Sequence, residues 1–319
     1  MREITLGRTN KKVSAISLGT WSFGGENMSG KIPVGWADQP ENDSMVVLKK
    51  SWELGINHWD TADVYGNGRS ESLIGKIWKK IPRKDIFLAT KIGWDKGPYN
   101  NWYHPKHMKN NLERSLKNLQ TDHVELIYLH HCNFGKNNEY FDDAMNTILK
   151  FKEQGKALFI GLSDWSSKKI MKFIKKCDPD VIQPYRNVMN DNYKSSGLKN
   201  YVDKFNIGVC FFSPIKHGLL TGKYNKPPKF KIGDHRKNIP DFQNQEVLNK
   251  MKFNKNLLEK HFSKNPNPVL HPLIGALFED TPSGCVLLGQ RNIKQVKIAS
   301  KLGEKLSKKE TQWVKSIYK

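Results

Sequence analysis

Met45-Val-Val-Leu-Lys-Lys-Ser-Trp-Glu-Leu-Gly-Ile-Asn-His-Trp-Asp60 holds one complete passage from helix to strand. Met45, Leu48 and Trp52 recur at spacings of three and four, as on the apolar face of an amphipathic helix. Gly55 stands where such a helix would stop, and Ile56–Asp60 follows as a short apolar run of strand type. Outward from this unit the same alternation repeats. Strands are expected near Ile16–Leu18, Ile86–Lys91, Val124–Leu129, Leu158–Leu162, Val181–Gln183, Gly208–Phe212 and Cys285–Gly289. Helical periodicity fills Pro105–Leu119, Phe141–Gln154 and Ser167–Lys176, with Pro105 suited to a first helical turn and Gly155 to a helix end. About eight strands, each followed by a helix, is the requirement of a closed (β/α)8 TIM barrel.

The remainder fits that frame. Glu3–Leu6 and Lys12–Ala15 flank Gly7-Arg-Thr-Asn10 as a small N-terminal hairpin closing the barrel bottom, and Lys305–Tyr318 reads as an extra C-terminal helix. The longest irregular stretches, Ser22–Asn42, Gly93–His104 and Ile215–Gln243, all follow strands, where a barrel builds its active site. No linker or repeat divides the chain, so residues 1–319 are expected to form a single domain.

Composition narrows the function. The 53 basic residues outnumber the 31 acidic ones for a formal charge of +22, yet only eight are arginines, and the lysines are dispersed. Bidentate recognition of phosphate and bases favours arginine, so a solvated lysine-rich surface is expected rather than a nucleic-acid face. Cys132, Cys177, Cys210 and Cys285 lie far apart in sequence without a C-x-x-C pair, which suggests neither a zinc site nor a disulfide framework. His104 and His107 are read as surface residues rather than metal ligands, since no third ligand is in sight. The N-terminus lacks an apolar signal stretch, and no run of 18 apolar residues occurs. A cytoplasmic protein with reduced thiols and no membrane span is expected.

Asp60, Tyr65, Lys91 and His130 lie at or just after the ends of separate expected strands, which a barrel gathers at one mouth. A phenol is a poor acid at neutral pH, with a pKa of about 10. A reductase that takes its proton from tyrosine must therefore stabilise the phenolate, as Lys91 could do if Asp60 held the ammonium charged. A neighbouring histidine can hydrogen-bond the carbonyl oxygen that receives the proton. Singly, each residue has a duller reading: a loop cap, a surface pair, a rim packer, a core histidine. In order and on the right elements, the four are specific.

The chain resembles the aldo-keto reductase superfamily from Leu18 to about Gln295. Asn57-His-Trp-Asp-Thr-Ala-Asp-Val-Tyr-Gly-Asn-Gly-Arg-Ser-Glu71 is similar to the family's D-T-A-x-x-Y-G signature, Ala89-Thr-Lys91 to its lysine strand and Leu126-Ile-Tyr-Leu-His130 to its histidine strand. The resemblance implies catalytic roles for Asp60, Tyr65, Lys91 and His130, with adjacent His131 the alternative histidine. It also implies a nicotinamide cofactor, whose phosphates something other than a Rossmann fingerprint or a P-loop must cradle, since neither G-x-G-x-x-G after a strand nor G-x-x-x-x-G-K-[ST] is present. Gly19, Thr20, Trp21 and Asp60 would flank it, Ser163, Asp164 and Gln183 would bind its carboxamide, and Phe212 would stack on its ring. Ser213, Pro214, Ile215, Gly218, Leu219 and Lys223 belong to the segment resembling the pyrophosphate-covering loop. Gly289, Arg291 and Gln295 fall where the family binds the adenosine 2′-phosphate, which favours NADP(H), with Arg291 the forked cation. Asp164 in place of Asn, Arg186 where an aromatic is common and Ala299 where Asn is frequent depart from the pattern and would weaken cofactor binding.

Trp21, Tyr65, Trp94, His130, His131 and Phe134 are the candidate walls of an apolar substrate pocket, and no metal is implied. The expected function is NADP(H)-dependent reduction of a small aldehyde or ketone. The alternative is an NADPH-binding redox-sensing subunit with slow turnover, like the potassium-channel β subunits that resemble this family.

Overall fold

The computed structural model describes residues 1–319. Eight parallel strands close a barrel: β1 (Ile16–Gly19), β2 (His58–Asp60), β3 (Phe87–Ile92), β4 (Val124–Leu129), β5 (Ala157–Asp164), β6 (Val181–Pro184), β7 (Gly208–Phe211) and β8 (Cys285–Gly289). Leu288 pairs with Leu18 and Gly289 with Gly19, so β8 returns to β1 and no edge is left open. β1, β2, β3, β6 and β7 are buried along their whole length. One face of each looks into the barrel and the other meets helices, which is why they read in sequence as continuous apolar runs.

Helices follow the strands. Pro105–Leu119 begins at the proline and ends on left-handed Gln120, with Met108, Leu112, Leu116 and Leu119 turned inward. Phe141–Glu153 and Ser167–Cys177 fall where periodicity places them, the latter capped by the Ser166 side chain on the Lys169 amide. The helix expected over Met45–Leu54 spans Glu41–Glu53, a turn earlier. Glu41 and Asp43 in its first turn favour the positive end of the helix dipole, a signal that apolar periodicity does not register. Leu198–Phe205, Gln245–His261 and Leu270–Phe278 are further helices. The last two join the C-terminal helix Lys308–Ile317 in a separate apolar cluster around Leu248, Met251, Leu273, Val314 and Tyr318.

The N-terminal hairpin pairs Glu3–Thr5 with Lys12–Ser14 antiparallel. A Cβ on Gly7 would stand 2.2 Å from the amide nitrogen of Gly208, the first residue of β7, so the hairpin tip lies against the strand-start end of the barrel and seals its floor. Ser22–Asn42 is not wholly irregular: Met28–Ser29 and Ile32–Pro33 form a small antiparallel ribbon. This first loop is stitched to the segment after β7 by a Gly35–Asp234 bridge, by Gly35 N–H donating to Gly233 O at 3.0 Å and by His235 N–H donating to Gly35 O at 2.8 Å. No helix is long and apolar enough to cross a membrane.

Two expectations are corrected. His107 is not on the surface: it is buried, with Nε2 2.7 Å from Asp95 O and Asn111 beside it. His104 stacks on Tyr99 at 4.1 Å. Both rings pin the loop after β3 onto the helix that follows. Arg186, expected to weaken cofactor binding by standing where an aromatic is common, does not line the cavity at the barrel mouth. Its fully buried guanidinium is neutralised by Asp191 at 2.8 Å and Asp280 at 2.7 Å, and Tyr185 is the neighbouring ring that packs on Phe212.

Candidate active site

Lys91, near the end of β3, is 1% exposed and its ammonium has three N–H donors and three acceptors. They are Asp60 Oδ1, Thr61 O at 2.7 Å and Tyr65 Oη at 3.4 Å. Burial alone would push the ammonium pKa down, but the facing Asp60 carboxylate outweighs it and holds the group above its ordinary value. The other Asp60 oxygen accepts from Gln183 Nε2 at 2.8 Å, so both oxygens are satisfied without water. Burial raises the pKa of the Tyr65 phenol, and the pull of Lys91 cancels only part of that rise. Tyr65 is therefore a protonated phenol. Because its oxygen accepts from Lys91, its own proton is free to point elsewhere.

Glycine places Tyr65. Gly66 adopts φ +61°, and a Cβ there would stand 2.1 Å from Gly24 O, so the Tyr65 loop lies backbone to backbone against the turn after β1. Ser70 Oγ donates to Thr20 O at 3.0 Å and Thr20 Oγ1 to Asp60 O at 2.8 Å, tying the same two segments. Trp21, fixed by its Nε1–H to Val34 O at 2.9 Å, consequently stacks on the Tyr65 ring at 5.9 Å.

His130 follows β4 with its amide on Ile92 O at 2.8 Å, and its ring stands edge-on to Tyr65 at 6.1 Å. Burial, His131 and Lys91 all depress its pKa far below the histidine range, so it is a neutral imidazole. His131 lies parallel to it at 4.9 Å and is likewise brought down to about 4, chiefly by burial. Trp94 covers both rings, at 5.7 and 4.5 Å.

These side chains border a cavity of about 520 Å³. Gly19, Thr20, Trp21, Asp60, Tyr65, Trp94, His130 and His131 line one part of it. Ser163, Gln183, Phe212, Ser213, Pro214, Ile215, Gly218, Lys223, Gly289, Arg291 and Gln295 line the rest. Lys91 sits behind this wall and reaches it through Tyr65. Three expected residues stand apart from the cavity. Phe134 is fully buried among Tyr103, Phe141 and Phe173. Leu219 belongs to the apolar cluster of the C-terminal helices. Asp164 is turned inward, accepting from Cys132 N–H and Ser166 N–H, both at 2.8 Å. Sequence reading missed Trp36, Trp165, His217, His235 and Arg236, which also line the cavity. Trp165, two residues past Ser163, was within reach of the strand-end rule. The others come from loops whose residue types carry no periodic signal.

The wall fits a dinucleotide in three respects. Gln183 spends its amide N–H on Asp60, which leaves its carbonyl oxygen to accept from a carboxamide. No atom lies within 4 Å of where a Cβ on Gly289 would stand, so backbone there meets open space. Arg291 stands at the far end, just after β8, its Nε on Gln39 Oε1 at 2.9 Å and its Nη2 on the carbonyls of Ala37 and Asp38. These acceptors are neutral, so an anion is the better partner for the guanidinium.

Comparison with known proteins places the chain in a family. Residues 15–319 match the model of the aldo/keto reductase family. A probable voltage-gated potassium channel subunit beta of Arabidopsis thaliana is 30% identical over 235 residues, 71% of this chain and 67% of that one. An aldo-keto reductase of Schizosaccharomyces pombe whose name carries NADP(+) is 31% identical over 216 residues, 64% of this chain and 62% of that protein. Among solved structures, the glycerol dehydrogenase of Gluconobacter oxydans superposes with a TM-score of 0.79 at 25% identity, covering 99% of this chain and 94% of the other. Oxidoreductases thus stand among its relatives, and the chain belongs to the aldo/keto reductase family.

Proposed function

We propose that the protein is a cytoplasmic, single-domain reductase that converts a small aldehyde or ketone to an alcohol at the expense of NADPH, with Tyr65 as proton donor. The observation that carries this reading is the Tyr65 hydroxyl 3.4 Å from the Lys91 ammonium at the wall of the cavity. A reduced nicotinamide held there supplies hydride to the carbonyl carbon. Gln183 and Ser163 orient its carboxamide, Phe212 packs on its ring, the loop from Ser213 to Lys223 covers the pyrophosphate and Arg291 takes the 2′-phosphate, exchanging backbone carbonyls for an anion. The carbonyl oxygen sits between Tyr65 and His130. His130, neutral, donates a hydrogen bond without competing for the proton, and Tyr65 releases its proton as negative charge develops on that oxygen. Lys91, kept cationic by Asp60, stabilises the resulting phenolate. Trp21 and Trp94 exclude water and select apolar or compact substrates.

Tyr65→Phe should lower kcat by roughly 10²–10⁴-fold while the quenching of tryptophan fluorescence by NADPH stays intact. Full turnover in this variant, or a wild-type protein inert toward a panel of aldehydes, ketoses and α-dicarbonyls, overturns the assignment. Likeness to a channel β subunit favours a second reading, an NADPH-binding regulatory subunit with slow turnover. Cofactor binding without steady-state reduction, together with capture of a membrane partner, would support it.

A further inference from the structure

The barrel interior holds a cluster of reactive side chains that the proposed reaction does not use. His58 stands two residues before Asp60 on β2, so both side chains face the same side of the strand. Cys210 on β7 and Cys285 on β8 are register partners across adjacent strands. His58 Nδ1 lies 3.4 Å from Cys285 Sγ, and the donor atoms of His58, Cys210 and Cys285 all lie within 4.8 Å of one another. All three residues are fully buried, and none lines the cavity. Their numbers, 58, 210 and 285, show why spacing along the chain points away from a metal site: closure of the barrel brings them together.

We propose that His58, Cys210 and Cys285 bind one thiophilic d10 cation, Zn(II) or Cu(I), inside the barrel. The geometry is close to that of a coordination sphere. Metal–sulfur bonds of about 2.3 Å and metal–nitrogen bonds of about 2.0 Å place donor atoms on one centre roughly 3.5–4.0 Å apart. The His58–Cys285 separation is nearly there, and the other donors need to converge by about 1 Å or less. An imidazole with two sulfurs is a soft donor set, suited to Zn(II) and Cu(I) and ill suited to Mg(II) or Ca(II).

Electrostatics points the same way. Two thiolates in a dry interior are costly, but with Zn(II) they sum to zero charge, and binding releases the thiol protons to solvent. Zn(II) would complete a tetrahedral shell with one further donor, whereas three-coordinate Cu(I) needs none. With the floor closed by the hairpin, a cation caught here during folding exchanges slowly.

The test uses the full chain, purified under reducing conditions from zinc-supplemented and from copper-supplemented cultures. Elemental analysis after dialysis against EDTA should find close to one equivalent per chain, and the culture in which it is found separates Zn(II) from Cu(I). Cys210→Ser and Cys285→Ser should each lose it, whereas Cys132→Ser and Cys177→Ser, at the remaining buried cysteines, should keep it. X-ray absorption on the unsubstituted protein needs no variant to fold, and should show two sulfur scatterers at about 2.3 Å. Absence of metal from both preparations, equal loss from Cys132→Ser, a metal shell without sulfur, or a Cys210–Cys285 disulfide in the fresh protein would each overturn the proposal. None of these readouts depends on carbonyl reduction.

Discussion

Lys91 shows how one residue does two jobs. Its three N–H groups have one acceptor each, Asp60, Thr61 and Tyr65, so the same bonds hold β2, the loop after it and β3 in register while setting the charge behind the phenol. Lys91→Met keeps the length of the side chain but leaves the Asp60 carboxylate buried without its cation. A loss of about 3–5 kcal/mol in unfolding free energy is expected, measurable by urea titration, and a stability within error of wild type would contradict the account. Asp60, Lys91, Tyr65 and His130 were legible because each occupies a strand end or the loop beyond it and their order is distinctive. Trp36, His235 and Arg236 were not. They reach the cavity only because two loops bond to each other across some 200 residues of chain, as Asp38 and Lys231 do at 2.5 Å. The His58 and cysteine cluster was hidden too, because only closure of the barrel brings its three strands together.

Those two loops are the element that decides access. Asp234, fully buried, accepts from Ala37 N–H at 3.1 Å and pairs with Arg236 at 2.6 Å. Arg236 in turn lies over Trp36 and Phe230. One carboxylate therefore fastens the segment after β1 to the segment after β7 on the side where Arg291 stands. Asp234→Ala removes charge-assisted hydrogen bonds that are worth about 1.5–3 kcal/mol each. NADPH should then bind at least roughly tenfold more weakly, with the change in the dissociation rate seen by stopped-flow fluorescence. Unaltered release would show that the fastening does not control the cofactor site. At this scale the sequence was a partial guide. Strands and the helix Pro105–Leu119 followed from pattern and proline, whereas the start of Glu41–Glu53 followed from charge, and the pairing of loops from neither.

For the molecule as a whole, buried ionisable groups set the pH range of stability. His131 and His235 are brought down to about 4 and His217 to about 3, burial being the main cause in each. Each binds a proton less readily folded than unfolded, so its contribution is complete above about 6.5 and is lost as pH falls toward 4 and below. Asp63 acts in the opposite sense. Burial, and then the neighbouring Glu71, raise its carboxyl to about 8. It stays protonated in the fold, and its contribution declines as pH rises from about 4 through 8. The melting temperature should therefore climb steeply from pH 4 to about 6.5 and then sag toward pH 8. Asp63→Asn should remove the sag and leave the acid limb unchanged; persistence of the alkaline decline would show that another group causes it.

The order of strands around the barrel has one more consequence. In the proposed reaction the reacting groups arrive from β2, β3 and β4, while Ser163, Gln183, Phe212 and Arg291, proposed to hold the cofactor, arrive from β5 to β8, so the wheel would be split into two arcs with separate tasks. Trp94 packs on His130 and His131, whereas Arg291 bonds to Gln39 and lies over Trp36. Their alanine substitutions should combine additively, with a coupling energy within about 0.5 kcal/mol in a double-mutant cycle on kcat/KM. Selection could then retune what is reduced without disturbing what reduces it.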